Sequence, residues 1–155
     1  IIHLNFLYML QLQQGAVAPE FTLQDHTGTM RSLSEFKGSY VVLYFYPKDD
    51  TPGCTVEACT FRDNYSELQK LVEIVGVSGD SENSHGKFIK KFQLPFPLLA
   101  DVERKMIQAY GADGVVFPKR VSFLINPEGK IVKVYGKVVP ADHAKQILED
   151  VKAMV

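Results

Sequence analysis

The chain has 155 residues, 46% of them apolar and 23% charged, with 17 Lys and Arg against 18 Asp and Glu for a formal net charge of -1. This is the profile of one ordinary globular domain; it excludes disordered, collagen-like and coiled-coil chains, and it lacks the basic stripe of a nucleic-acid binder. A domain of this length buries roughly 68–70% of the surface its unfolded chain exposes, so its core needs no disulfide or structural metal, and its two cysteines, Cys54 and Cys59, are free for chemistry.

Ile1 to Leu12 is apolar and precedes Ala16-Val17-Ala18, which has the form of a signal-peptidase site. No Lys or Arg stands before the apolar stretch and Pro19 would follow the cut, so a secretory signal is not expected. The stretch also falls well short of the roughly 20 apolar residues that span a bilayer, so no membrane association is expected. Residues 1–14 read as an extension, with Met9 a fitting natural start, and residues 15–155 as a single domain without repeat or linker. A cytoplasmic, reducing setting follows, where cysteine pairs are more often catalytic, redox-sensing or metal-binding than structural.

Phe21 to Leu23 and Thr29 to Leu33 flank the turn-rich Asp25-His26-Thr27-Gly28, predicting a hairpin. The apolar run Tyr40 to Tyr46 predicts a central strand covered on both faces. Pro47 to Gly53 is a loop by composition and leads into a helix starting near Cys54, whose buried stripe is Phe61, Tyr65, Leu68 and Val72. Ile74 to Ser78 reads as a second inner strand. Ser81 to Phe92 reads as a helix with Phe88, Ile89 and Phe92 inward and Lys87, Lys90 and Lys91 solvated. Pro97 to Asp101 receives no element, and a short helix covers Glu103 to Tyr110. Val121 to Ile125 and Ile131 to Tyr135 form a hairpin about Pro127-Glu128-Gly129. A last helix presents Ala144, Ile147, Leu148, Val151 and Met154 on one face. The order is that of an α/β protein with a mixed central sheet, helices on both faces and an N-terminal β-hairpin, the layout of a thioredoxin-like fold.

Cys54 follows a Pro/Gly loop and opens a helix, where unpaired N–H groups and the positive dipole end favour the reactive thiolate. Thr51 adds a hydroxyl able to bond the sulfur or an oxygen substrate, and Gly53 allows close backbone approach, although Pro52 and Gly53 equally suit a plain turn. Cys59 lies five residues further on. In an α-helix that is about 7.5 Å along the axis and about 140° around it, with Cα atoms roughly 8.6 Å apart. A disulfide needs less than about 7 Å, so joining the pair requires the helix to unwind by at least its first turn. Cys59 equally suits a small buried hydrophobe.

Other chemistries find less support. A CxxC reductase needs a different spacing, and a Cys-His hydrolase has no local signature. A zinc site needs four ligands, yet His3, His26, His85 and His143 are dispersed and expected at the surface or as caps. Phosphate-loop glycines are absent.

Pro47-Lys48-Asp49-Asp50-Thr51-Pro52-Gly53-Cys54 resembles the peroxiredoxin active-site motif of Pro, three residues, Thr, two residues and the peroxidatic Cys. The continuation to Ala58-Cys59, with Phe61-Arg62-Asp63, is similar to the Q subfamily, also called bacterioferritin comigratory protein. Gly15 to Phe21 matches the family's opening, and Lys119-Arg120-Val121 to Ile125 the segment carrying its active-site arginine. The resemblance implies a thiol-dependent peroxidase for hydrogen peroxide and alkyl hydroperoxides, without metal or organic cofactor, monomeric or weakly dimeric. Cys54 would attack the peroxide and become a sulfenic acid. Cys59 would resolve it as an intramolecular disulfide, which thioredoxin or a similar dithiol reduces. Thr51 and Arg120 would be the polar partners, Pro47 a shield from water, and Glu57 a group that orients the site. A redox sensor or binding module, using the same pair as a conformational switch, is the alternative.

Overall fold

Val41, Val42, Leu43, Tyr44 and Phe45 are each at most 1% exposed, which a strand achieves only when layers cover both its faces. In the computed structural model, which describes residues 12–155, they form β3 (Val41–Phe45), the middle of a five-stranded sheet. β4 (Glu73–Ser78) and β5 (Leu98–Ala100) run parallel to it on one side; on the other β6 (Val121–Ile125) runs antiparallel to β3, and β7 (Ile131–Tyr135) antiparallel to β6. The β3–β6 register pairs Phe45 with Val121, so the end of β3 meets the start of β6. β1 (Thr22–Gln24) and β2 (Met30–Ser32) make the separate N-terminal hairpin, joined to the sheet by a bridge from Asp25 to Leu99.

Alternation along β3 divides the core in two. Val42, Tyr44 and Tyr46 meet one helical layer: α1 (Pro52–Asp63), α2 (Tyr65–Leu68), α3 (Glu82–Phe92) and α5 (His143–Met154). Val41, Leu43 and Phe45 meet α4 (Lys105–Ala109) and the 3-10 turn Leu33–Phe36 on the other face. Helices on both faces of a mixed sheet, with an N-terminal hairpin, are what the pattern of the sequence describes. Among the described residues no helix is long and apolar enough to cross a membrane. The expected extension, residues 1–14, lies outside the described residues as far as residue 11.

Four details depart from the sequence reading. Pro97 to Asp101 contains a strand, β5, too short to show any alternation. The stripe from Phe61 to Val72 is not one helix, because Asn64 (φ -105°, ψ 8°) breaks it between α1 and α2. Met154 is 39% exposed, since the last turn of α5 runs past the core. His85 and His143, expected at the surface or as caps, are fully buried. His143 reaches Ser122 Oγ at 2.7 Å and Gln146 Oε1 at 3.1 Å, and burial pushes it down toward the neutral form.

Candidate active site

The loop leaving β3 passes through half-buried Pro47 and enters α1 with Thr51 as its extended N-cap (φ -96°, ψ 157°) and Pro52 as the first helical residue. Proline suits that position, because its missing N–H would have had no helical partner. The Thr55 N–H donates to the Thr51 carbonyl at 2.8 Å, which closes the first turn around Cys54. The sulfur therefore sits at the positive end of the helix, near N–H groups that no helical carbonyl satisfies. It is 1% exposed, in the same buried cluster as Tyr44, Tyr46 and Phe61.

Arg120, the residue before β6, brings the charge. Its Nη2 lies 3.4 Å from Cys54 Sγ, and its Nη1 donates to Glu57 Oε1 at 2.9 Å. Glu57 is 1% exposed, and burial pushes its carboxyl up to about 7 although Arg120 acts the other way. Its second oxygen has no hydrogen-bond partner among the described residues. Burial also works against the Arg120 charge, yet Glu57 and Cys54 together hold the guanidinium above its ordinary range. Gly53 leaves the room: a Cβ there would stand 2.9 Å from Arg120 Nη2. A donor fixed beside a buried sulfur can hydrogen-bond it and can reach an oxygen bound to it.

The residues singled out in the sequence are thus brought together unequally. Cys54, Arg120 and Glu57 form one connected group. Thr51 is at the helix start, but its hydroxyl donates to the Lys48 carbonyl at 2.8 Å rather than to the sulfur. Cys59 lies on the same unbroken helix, partly buried and unbonded to Cys54, and burial pushes its thiol up. A second polar cluster escaped sequence reading altogether. Asp49, in the loop before Cys54, binds Tyr46, Ser84 and His85, partners up to 36 residues away that no local spacing announces.

The sequence profile described as the AhpC/TSA family matches residues 14–134. The chain belongs to that family. Within it this peroxiredoxin is 42% identical over 154 residues to "Peroxiredoxin Bcp" of Bacillus subtilis, spanning 94% of this chain and 98% of the relative. It is 40% identical to "Peroxiredoxin Q, chloroplastic" of Gentiana triflora, over 90% of this chain and 66% of that longer relative. Among solved structures it superposes on peroxidoxin BcpB from Mycobacterium tuberculosis with a TM-score of 0.86 at 34% identity, over 92% of this chain and 98% of the other. Bacterioferritin comigratory protein from Xanthomonas campestris, solved in work on its alkyl peroxide reduction, gives 0.81 at 35%, over 86% and 91%. This peroxiredoxin is a thiol-dependent peroxidase of the Q, or Bcp, type.

Proposed function

We propose that this peroxidase uses Cys54 as its nucleophile. The Cys54 thiolate attacks one oxygen of a hydroperoxide, the O–O bond breaks, and the sulfur leaves as a sulfenic acid while the other oxygen leaves as an alcohol or water. Arg120 steadies the thiolate and the charge that develops on the leaving oxygen. Glu57 orients Arg120, and Pro47 and Thr51 frame the entrance. Cys59 condenses with the sulfenic acid to give a disulfide and water, after the first turn of α1 opens, and a thioredoxin-type dithiol restores both thiols. Hydrogen peroxide and alkyl hydroperoxides are the substrates. The working unit is residues 15–155, as a monomer or weak homodimer in the cytoplasm, without metal, organic cofactor, nucleic acid or membrane.

The observation that carries this reading is the 3.4 Å contact between Arg120 Nη2 and a sulfur buried at the start of a helix. No observation favours the reading in which the pair serves only as a redox switch. Peroxide consumption with thioredoxin as donor tests the assignment. Cys54→Ser loses turnover; a variant that keeps it removes Cys54 from the role. After one equivalent of peroxide, the wild-type chain loses about two daltons as the intramolecular disulfide forms. A persistent sulfenic acid, or a disulfide between two chains, removes Cys59 from its role.

A further inference from the structure

His85 takes no part in the thiol chemistry, yet it is wholly buried near the start of α3 with both ring nitrogens engaged. Nε2 lies 2.9 Å from the Leu99 carbonyl oxygen in β5, and Nδ1 lies 2.7 Å from Asp49 Oδ2. A carbonyl only accepts, so Nε2 carries a hydrogen and donates it. The Nδ1 contact with the Asp49 carboxyl is the ring's second short hydrogen bond. That carboxyl also takes the Tyr46 hydroxyl at 2.6 Å and the Ser84 hydroxyl at 2.8 Å. The Asp49 N–H donates to Asp80 Oδ2 at 2.9 Å, and Asp80 takes the Ser78 hydroxyl at 2.6 Å. Asp49, Asp80 and His85 bring ligand-type atoms within 4.8 Å of one another. Protein groups already satisfy those atoms, so the cluster is a closed hydrogen-bond network rather than a cation site.

The network ends where the active site begins. Asp49 is 7% exposed, whereas the next residue, Asp50, is exposed and holds a left-handed φ of 55°. Its ion pair with Lys91 is exposed on both sides and therefore holds little. Thr51 follows as the N-cap of α1. The chain is thus pinned at Asp49 from α3 and β5 and lightly held from Asp50 to the first turn around Cys54.

We propose that His85 is a positioning residue, which clamps the Pro47 to Gly53 loop through Asp49 and confines the unwinding of α1 to the chain beyond that point. The proposal rests on the reading of Cys54 and Cys59 as peroxidatic and resolving thiols. It bears on the two fates of the Cys54 sulfenic acid. Condensation with the Cys59 thiol gives a disulfide and water and needs the opened turn. Attack on a second hydroperoxide gives a sulfinic acid and an alcohol or water, and needs the closed one. By favouring the closed turn, the clamp speeds the first reaction with peroxide and raises the share of sulfinic acid.

The test measures the rate of the first peroxide step, and the ratio of disulfide to sulfinic acid by intact mass after a peroxide pulse. His85→Leu slows the first step roughly tenfold, as expected for a misplaced reacting group, and shifts the products toward disulfide. His85→Asn, which keeps a donor near the Nδ1 position, restores both. Ile107→Ala, buried on the opposite face of the sheet, lowers Tm without moving the ratio. If His85→Leu does not fold, Ser84→Ala, which removes one bond from Asp49 at a half-buried site, shifts both readouts in the same direction. A wild-type ratio in the His85 or Ser84 variants, or an equal shift in Ile107→Ala at the same loss of Tm, overturns the clamp alone. A wild-type protein that forms no Cys54–Cys59 disulfide overturns the underlying reading and the clamp with it.

Discussion

Gly53 and Arg120 stand so close that a Cβ on the glycine would lie 2.9 Å from Nη2, the guanidinium nitrogen that meets the Cys54 sulfur. The atom in the way is the far end of a flexible side chain, so the conflict can be relieved by moving the guanidinium. Alanine also stabilises a helix over glycine by roughly 0.5–1 kcal/mol. Gly53→Ala therefore holds or raises Tm while the second-order rate with peroxide falls about tenfold, ~1.4 kcal/mol of lost transition-state stabilisation. Thermal melting and peroxide kinetics on the same sample check the split; a fall in both together contradicts it.

Gly76 gives the opposite result. It lies in β4, where a Cβ would stand 2.6 Å from Leu98 Cδ2 and 2.8 Å from Tyr44 Cζ, both inside the packed core. Neither neighbour has solvent to move into. Gly76→Ala overpacks the sheet by about 1–3 kcal/mol, read as an earlier midpoint in urea with an unchanged slope.

Glu57 makes stability depend on pH in an uncommon direction. Its carboxyl is pushed from an ordinary 4.5 up to about 7, so the folded chain keeps a proton that the unfolded chain releases. Stability then falls as pH rises between those two values, by at most about 3 kcal/mol above pH 7. Glu57→Gln cannot ionise and flattens the slope across that window. Urea titrations at intervals from pH 4.5 to 7.5 measure it, and equal slopes in the two proteins would contradict the assignment.

Oxidation has a local signature. The Thr55 N–H is tied to Thr51 in the first turn of α1, whereas the Tyr46 and Asp49 N–H groups are tied to Val77 and Asp80 outside it. Hydrogen exchange should therefore show the amides from Thr55 to Cys59 losing protection in the disulfide form, with Tyr46 and Asp49 keeping theirs. Loss of protection across all of these amides would contradict a confined opening.

The legibility of these features in the sequence followed chain distance. Pro47, Thr51 and Cys54 form one contiguous word, and the apolar run of β3 could hardly be anything but a central strand. Arg120 is 66 residues from its sulfur and stood out only through resemblance to a family. The Asp49–His85 pair stayed hidden, because a loop aspartate and a helix histidine carry no mark of being buried together. Strand β5 was hidden for another reason: three residues contain too little alternation to distinguish a strand from a loop. Met154 kept the helical period of its neighbours, but the core ended before the helix did.

The pairing of Phe45 with Val121 sets the mechanical tolerance of the catalyst. Cysteine and arginine are carried by segments that adjoin neighbouring strand ends, so a slip of one residue between β3 and β6 would displace Arg120 by about 3.3 Å and turn its neighbours to the other face. The backbone ladder thus acts as a ruler for the chemistry. Lengthening the surface loop before Lys119 leaves the guanidinium aligned, whereas a single insertion inside either strand silences the enzyme without touching any residue of its site.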